Sequence, residues 1–174
     1  MSHPSPIRAG ARRPRLAIPA IIAIAALVVA CGGTVATPSV APSAAATAGA
    51  ITVNVMLQEF AVVPDTASAP AGMITFVATN TGPEDVHELV VIKTDLGLLD
   101  LPTDADGKVL EDGDGMEVIG EVEDVELGAT EEFTLDLAIG KYLLICNILQ
   151  TEPDGSLESH YKEGMVATFE VTAP

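Results

Sequence analysis

The chain has 174 residues, with 25 acidic and 8 basic side chains that give it a formal net charge of −17. The charge is unevenly distributed, because no Asp or Glu precedes Glu59 and four of the eight basic residues are arginines within residues 8–15. Residues 51–174 therefore carry four Lys against all 25 carboxylates, a net charge of −21. This segment lacks the basic patch that binds phosphate, which excludes a nucleic-acid-binding protein.

Residues 1–30 have the organisation of an export signal. The arginines precede an apolar run at residues 16–30. This run has about 15 residues, whereas a membrane-spanning helix needs about 20. A basic segment followed by a short apolar segment is typical of a secretory signal peptide. The alternative is an uncleaved, short membrane helix.

The end of the apolar run resembles the lipobox of bacterial lipoproteins, with the sequence Val28-Val29-Ala30-Cys31-Gly32. The resemblance implies that residues 1–30 are removed and that the thiol of Cys31 carries a lipid. Two or more acyl chains hold a protein stably on a membrane. We therefore expect an exported protein, lipid-anchored to the cell membrane, with its domain on the extracytoplasmic side.

Residues 31–50 form a predicted tether between the lipidated Cys31 and a folded domain at residues 51–174. After Cys31 the segment consists of Gly, Ala, Ser, Thr and Pro with scattered Val, and it has no charged residue. Because it shows no apolar periodicity, it is typical of a flexible linker.

The domain is predicted to be all-β. From residue 51 to 57 apolar and polar residues alternate, which indicates a strand with one buried face. Further strands are predicted at residues 73–79, 86–93, 117–127, 131–137, 141–147 and 165–171. Turn sequences at 64–65 and 69–72 and long loops at 94–115 and 148–163 separate them, and no helix is predicted. About seven or eight short strands favour a Greek-key β-sandwich.

Four residues of the domain form a candidate metal site. The domain has one cysteine, Cys146, two histidines, His87 and His160, and a methionine, Met165, five residues after the second histidine. A thiolate, two imidazoles and a weak thioether are the ligands of a mononuclear blue-copper site. Zinc could use the cysteine and both histidines, but Met165 would then have no role. A Cys–His nucleophile lacks a third, orienting residue.

The domain resembles the cupredoxins, the plastocyanin/azurin-like copper proteins. Four motifs carry the resemblance: His87-Glu88-Leu89-Val90-Val91, Gly140 to Cys146 as Gly-x-Tyr-x-x-x-Cys, the run from Pro70-Ala71-Gly72 to Asn80, and Gly128-Ala129-Thr130. The resemblance covers residues 51–174 and implies a cupredoxin-like fold with one type 1 copper ion. It implies that His87, Cys146 and His160 are the equatorial ligands and that Met165 is the axial ligand.

The spacing between Cys146 and His160 departs from the best-known cupredoxins, in which it is much shorter. The additional segment at residues 148–159 contains Pro153-Asp154-Gly155, a turn sequence. We therefore expect a protruding hairpin between the two ligands. This longer spacing bears on the expected exposure and reduction potential of the site more than on whether the site forms.

The acidic segment at residues 104–115 invites comparison with a calcium-binding loop. Its carboxylates do not have the EF-hand spacing, which excludes that motif. It is interpreted as a solvated acidic loop that could meet a basic partner, because summed charge steers encounters.

The sequence thus predicts a membrane-tethered copper protein that transfers single electrons and is not an enzyme. Its partner would be a redox protein, or a copper donor or acceptor, at the membrane surface, and the protein itself is expected to be a monomer. Two alternatives stay open. One is a copper carrier or storage protein with a labile site, and the other is a metal-free β-sandwich interaction module.

Overall fold

The computed structural model describes residues 49–174. The predicted signal peptide, the predicted lipidation site Cys31 and most of the predicted tether lie outside this range. Within it, no helix is long and apolar enough to cross a bilayer.

The described chain consists of eleven β-strands and one helical turn. In chain order these are β1 (Ile51–Gln58), β2 (Ala61–Pro64), β3 (Ser68–Pro70), β4 (Gly72–Gly82), β5 (His87–Thr94), β6 (Met116–Val125), β7 (Thr130–Leu137), β8 (Gly140–Ile145), β9 (Leu149–Thr151), β10 (Leu157–Ser159), α1 (His160–Glu163) and β11 (Val166–Thr172).

The strands form two sheets and a separate hairpin. One sheet has the order β2-β1-β4-β7 and the other the order β3-β11-β8-β5-β6, while β9 and β10 pair only with each other. The pairs β1–β4 and β3–β11 are parallel, and the other pairs are antiparallel. From β2 to β5 and again from β6 to β8, each successive strand lies in the other sheet, as in Greek-key connections. The predicted all-β sandwich is confirmed.

The main core lies between the two sheets. Along β1 the side chains of Val53, Val55 and Leu57 are buried while their neighbours are exposed, as the alternating sequence predicts. They pack with Phe76 of β4 and Phe169 of β11, among others. Each such side chain contributes about 1.5–3 kcal/mol when fully buried, so this core fixes the relation between the sheets.

A second core covers the outer face of β5 and β8. The side chains of Val90, Ile92, Leu143 and Ile145 point away from the main core and are packed against Leu101, Val109 and Tyr161. Leu101 and Val109 belong to the long loop at residues 94–115. Because β5 and β8 are buried on both faces, their sequences are near-continuous apolar runs rather than alternating ones.

The structure differs from the predicted elements mainly in short segments. Eight strands have four or more residues. Of the shortest strands, β2 and β3 were not predicted, whereas the three-residue strands β9 and β10 lie in the segment predicted to be a hairpin. Pro64 and Pro70, expected in turns, end β2 and β3, and α1 is an additional single turn. Three or four residues are too few to show a periodicity, so their conformation depends on the strands beside them.

Candidate metal centre

The structure brings His87, Cys146 and His160 together at one end of the sandwich. The Nδ1 atoms of the two histidines are 3.3 Å apart, and the Sγ atom of Cys146 lies 3.4 Å from Nδ1 of His160 and 3.9 Å from Nδ1 of His87. All three side chains have an exposed fraction of 0%. Three donor atoms of two imidazoles and one thiol thus converge on one buried point.

His87 is positioned by the start of β5 and by the turn that precedes it. The buried side chain of Asn80 holds this turn, because its Nδ2 donates to the carbonyls of Asp85 and Val125 at 2.7 and 2.9 Å. Its Oδ1 accepts from the backbone N–H of Gly82 at 2.8 Å. The side-chain amide of Asn80 therefore makes the hydrogen bonds that backbone groups of the turn between β4 and β5 would otherwise lack.

Cys146 directly follows β8, the strand next to β5. Its backbone N–H donates to the carbonyl of Met165 at 3.0 Å, and its Sγ accepts from the backbone N–H of Glu88 at 3.5 Å. Burial raises the pKa of the Cys146 thiol to about 12, although the N–H groups of Glu88 and Ile148 act to lower it. A metal cation beside the sulfur would favour the thiolate instead.

His160 and Met165 are joined by the single turn of α1. Ser159 caps the turn, with its hydroxyl accepting from the N–H of Lys162 at 3.3 Å. Gly164 ends the turn at a φ of 116°, which L-residues rarely adopt. The N–H of Met165 then donates to the carbonyl of His160 at 2.9 Å. Met165 is fully buried in the same core as Cys146.

The loop at residues 94–115 holds α1 in place. The hydroxyl of Tyr161 donates to the carbonyl of Leu98 at 2.9 Å and accepts from the N–H of Leu101 at 3.1 Å. The hydroxyl of Ser159 donates to the carbonyl of Gly107 at 2.7 Å. The loop therefore packs over the end of the sandwich that holds the candidate site. The sequence had indicated only a solvated acidic segment here.

Asn147 connects the cysteine to the same loop. Its Oδ1 accepts from the N–H of Val109 at 2.6 Å, and its Nδ2 donates to the Val109 carbonyl at 3.1 Å. Its backbone N–H donates to Oε1 of Glu88 at 2.8 Å. Burial nevertheless raises the pKa of Glu88 to about 7. The residue after Cys146 therefore joins β5, β8 and the loop.

The predicted hairpin between Cys146 and His160 is confirmed. β9 and β10 pair antiparallel, with Ser159 opposite Leu149. At the tip, Oδ1 of Asp154 accepts from the N–H and hydroxyl of Ser156 at 2.9 and 2.6 Å, and Gly155 has a φ of 86°. The long spacing is therefore taken up by a hairpin that returns the chain to the site.

Two carboxylates lie on the outer side of the imidazoles. Oε1 of Glu59 is 3.5 Å from Nε2 of His87, and Oδ2 of Asp85 is 4.0 Å from Nε2 of His160. Burial lowers the pKa of both histidines, while the carboxylates of Glu59 and Asp85 act to raise it. A lowered pKa keeps the rings neutral at neutral pH, which is the form that binds a metal.

Several residues around the site were not identified from the sequence. The sequence indicates no role for Glu59, Asp85 or Asn147, and it shows Asn80 only as the end of the motif that begins at Pro70. A short sequence pattern does not distinguish Glu59 from the other acidic residues, because its relation to His87 depends on the packing of β1 against the turn before β5. Asn80 could have been found as a polar residue at the end of a buried strand.

The three donor atoms fit one metal ion. Metal–nitrogen and metal–sulfur bonds of about 2.0 and 2.3 Å place the donors about 3.3–3.7 Å apart in tetrahedral or trigonal geometry. The observed separations are 3.3, 3.4 and 3.9 Å. The three donor atoms would therefore need only small movements to coordinate one metal ion.

Comparisons with known proteins give structural likenesses only. No protein-family model matches the chain, and no curated protein matches it. A dithionite-reduced auracyanin from Roseiflexus castenholzii is 24% identical, with 71% of this chain and 99% of that chain covered and a TM-score of 0.49. Auracyanin A, a "blue" copper protein from Chloroflexus aurantiacus, is 21% identical, with 71% and 100% covered and a TM-score of 0.46. Reduced rusticyanin is 17% identical, with 71% and 79% covered and a TM-score of 0.47.

The strand order and register of the chain itself define a β-sandwich. The sequence predicts that His87, Cys146 and His160 belong to one site, and the structure brings their side chains together at one end of the β-sandwich. Met165 lies in the adjoining core. Their role as metal ligands stays a prediction.

Proposed function

We propose that the domain binds one type 1 copper ion through His87, Cys146, His160 and Met165 and transfers single electrons. The observation that carries the proposal is the convergence of two imidazole Nδ1 atoms and one thiol Sγ within 3.3–3.9 Å in a fully buried site. When bound, copper supplies a one-electron couple between its two oxidation states.

The donor set supports copper over zinc. Sulfur ligands suit Cu(I), and imidazole suits both oxidation states. Met165 is fully buried beside the Cys146 strand rather than exposed. The rigid sheet and the packed loop hold the donors in one arrangement, which keeps the reorganisation on electron transfer small.

Complete burial of the donors supports an electron carrier that is not an enzyme. A substrate cannot reach donor atoms whose residues have an exposed fraction of 0%, whereas an electron can pass through the imidazoles. A labile copper carrier needs an open site for ligand exchange, so the burial argues against that alternative. A metal-free interaction module leaves the converging donors unexplained.

The proposed setting is the extracytoplasmic face of a membrane. The lipobox-like sequence at Cys31 and the uncharged tether support a lipid-anchored protein. The net charge of −21 on residues 51–174 favours a redox partner with a basic docking face. We propose that this partner lies at the membrane surface and that the protein acts as a monomer.

Copper titration tests the function. We expect the purified protein to bind one equivalent of copper and to accept and return one electron per chain reversibly. Cys146→Ser should abolish the reversible electron transfer, whereas Cys31→Ser, which removes the other cysteine, should retain it and release the protein from membranes. A wild-type protein that binds no copper would contradict the proposal.

A further inference from the structure

The outer nitrogens of the two histidines have no hydrogen-bond partner. Among residues 49–174, three buried side-chain nitrogen or oxygen atoms lack a partner: Nε2 of His87, Nε2 of His160 and Oε2 of Glu59. All three lie on the outer side of the proposed copper site. Buried polar groups are nearly always hydrogen-bonded, so three unpaired atoms in one place indicate an arrangement that closes when the site is loaded.

The orientation of the imidazoles determines where their protons reside. Both Nδ1 atoms face Sγ of Cys146. A metal held there takes the Nδ1 lone pairs and leaves each ring proton on Nε2. Each Nε2–H then needs an acceptor, and metal-binding histidines commonly use a carboxylate for this purpose.

Each Nε2 atom has one carboxylate oxygen close to it. Oε1 of Glu59 is 3.5 Å from Nε2 of His87, and Oδ2 of Asp85 is 4.0 Å from Nε2 of His160. A small movement of either side chain therefore makes a charge-assisted hydrogen bond.

The two carboxylates are themselves held in place. Oε1 of Glu59 accepts from the backbone N–H groups of Glu84 and Asp85 at 3.1 and 2.6 Å. The side chain of Asp85 accepts from Nε2 of Gln150, a residue of the hairpin strand β9. The carboxylates are thus fixed to the turn before β5 and to the hairpin that the long Cys146–His160 spacing creates.

The surroundings add negative charge. An open groove of about 370 Å³ lies outside the imidazoles, with five carboxylate residues and no Lys or Arg among the described residues that line it. The five are Glu59, Glu84, Asp85, Glu152 and Glu158. No cationic side chain of the groove therefore neutralises Glu59 and Asp85.

We propose that Glu59 and Asp85 are positioning residues that accept the Nε2–H groups of His87 and His160 and favour the oxidised form of the site. The inference rests on the copper-binding function proposed above. With one thiolate and two neutral imidazoles, a Cu(II) site carries a net +1 charge and a Cu(I) site carries none. Nearby carboxylates stabilise the more positive state, because unlike charges attract more strongly in a buried site.

The test compares Glu59→Gln and Asp85→Asn with Glu84→Gln in the full chain. Glu84 is an exposed residue of the same groove, and its carboxylate makes no contact within 4.0 Å with either imidazole. Competing chelators give the dissociation constants for Cu(II) and Cu(I) separately. We expect the ratio of the Cu(II) constant to the Cu(I) constant to rise about tenfold in Glu59→Gln and Asp85→Asn. Glu84→Gln should change it less than about threefold.

A second readout observes the hydrogen bonds directly. In the Cu(I)-loaded protein, which is diamagnetic, proton NMR should show both histidine Nε2–H protons in slow exchange with water. Glu59→Gln should speed the exchange at His87 only, and Asp85→Asn at His160 only. Gln keeps a carbonyl oxygen to accept from the turn, so Glu59→Gln should fold, and Asp85→Asn tests the proposal independently of it.

Different failures can be distinguished. If wild-type protein binds copper but neither substitution changes the affinity ratio, the carboxylate inference is overturned and the copper function stands. If a second metal ion binds at Asp85, Glu158 and His160, whose candidate ligand atoms lie within 4.8 Å of one another, and removes the His160 Nε2–H signal, the inference is also overturned. A wild-type protein that binds no copper overturns both proposals.

Discussion

The strand ligands and the loop ligands of the candidate site are held in different ways. The strand ligands, His87 and Cys146, lie at the ends of β5 and β8, a neighbouring pair with Val90 opposite Ile145. The loop ligands, His160 and Met165, lie on and just after the single turn of α1. The first pair depends on sheet register and on the two cores, whereas the second lies outside the sheets. It depends on hydrogen bonds to the loop at residues 94–115 as well as on the burial of Tyr161 and Met165.

Because the two pairs are held differently, the stability of the sandwich and the stability of the candidate site can be changed separately. A single turn outside the sheets, held in place through a loop, opens more easily than a central sheet. Changes in β5 or β8 should therefore affect folding and metal binding together. Changes around α1 should affect metal binding with a smaller effect on the sandwich.

Leu144→Ala should have the largest effect on stability. Leu144 is fully buried in β8 between the sheets, and truncation of such a side chain costs about 2–5 kcal/mol. Urea unfolding of the metal-free protein should show this loss together with weaker copper binding. The control Leu157→Ala removes an exposed side chain from the hairpin and should change stability by less than about 0.5 kcal/mol. Equal losses for both variants would contradict the distinction.

Glu88→Gln, a substitution in β5, should alter how the free energy of unfolding depends on pH. Because burial raises the pKa of Glu88 from 4.5 to about 7, its protonated form stabilises the native state below about pH 4.5. This contribution is lost as the pH rises to about 7, a change on the order of 3 kcal/mol at about 1.4 kcal/mol for each pH unit. The lowered pKa values of His87 and His160 act oppositely, since their contribution is lost as the pH falls below 6.5.

The difference between wild type and Glu88→Gln isolates this residue, because both proteins retain the histidines. Unfolding of the metal-free proteins by urea at a series of pH values should show the variant gaining stability relative to wild type between pH 4.5 and 7. A constant difference across that range would show that Glu88 does not titrate in this way.

Tyr161→Phe should have a smaller effect on stability and a specific effect on the loop ligands. The substitution removes the hydrogen bonds to Leu98 and Leu101 and leaves the N–H of Leu101 without its partner. The cost should be about 1–3 kcal/mol, and copper should dissociate faster because α1 is less firmly held. Stopped-flow measurement with a chelator gives the dissociation rate.

Tyr142→Phe is the matched control in the strand region. The hydroxyl of Tyr142 donates to the carbonyl of Ala138 at 2.7 Å, at the end of β8 remote from Cys146. Its removal should cost about 1 kcal/mol and leave the copper dissociation rate unchanged. If both tyrosine variants release copper at the same rate, the loop ligands are not held as described.

The strand ligands and the loop ligands also differ in how well their surroundings could be predicted from the sequence. The alternation at residues 51–57 predicts β1, and the apolar run at residues 141–145 predicts β8, because burial on one or two faces is a local property of the pattern. The strand ligands lie at the ends of such runs. The turn sequence Pro153-Asp154-Gly155 likewise predicts the hairpin, since turn geometry is local.

The surroundings of the loop ligands could not be predicted in this way. Tyr161 is hydrogen-bonded to Leu98, 63 residues away in sequence, and Ser159 is hydrogen-bonded to Gly107, 52 residues away in sequence. Such contacts depend on how the loop packs on the sheet, and no periodicity or spacing encodes them. The proximity of the Glu59 carboxylate to His87 is likewise not encoded locally, because it depends on the packing of β1 beside the turn that precedes β5.

The visible absorption spectrum of the Cu(II)-loaded protein tests the central claim most directly. A type 1 site with Cys146 as its thiolate ligand should give an intense thiolate-to-copper charge-transfer band that is lost in Cys146→Ser. A colourless wild-type protein with one equivalent of Cu(II) bound would contradict the electron-transfer account.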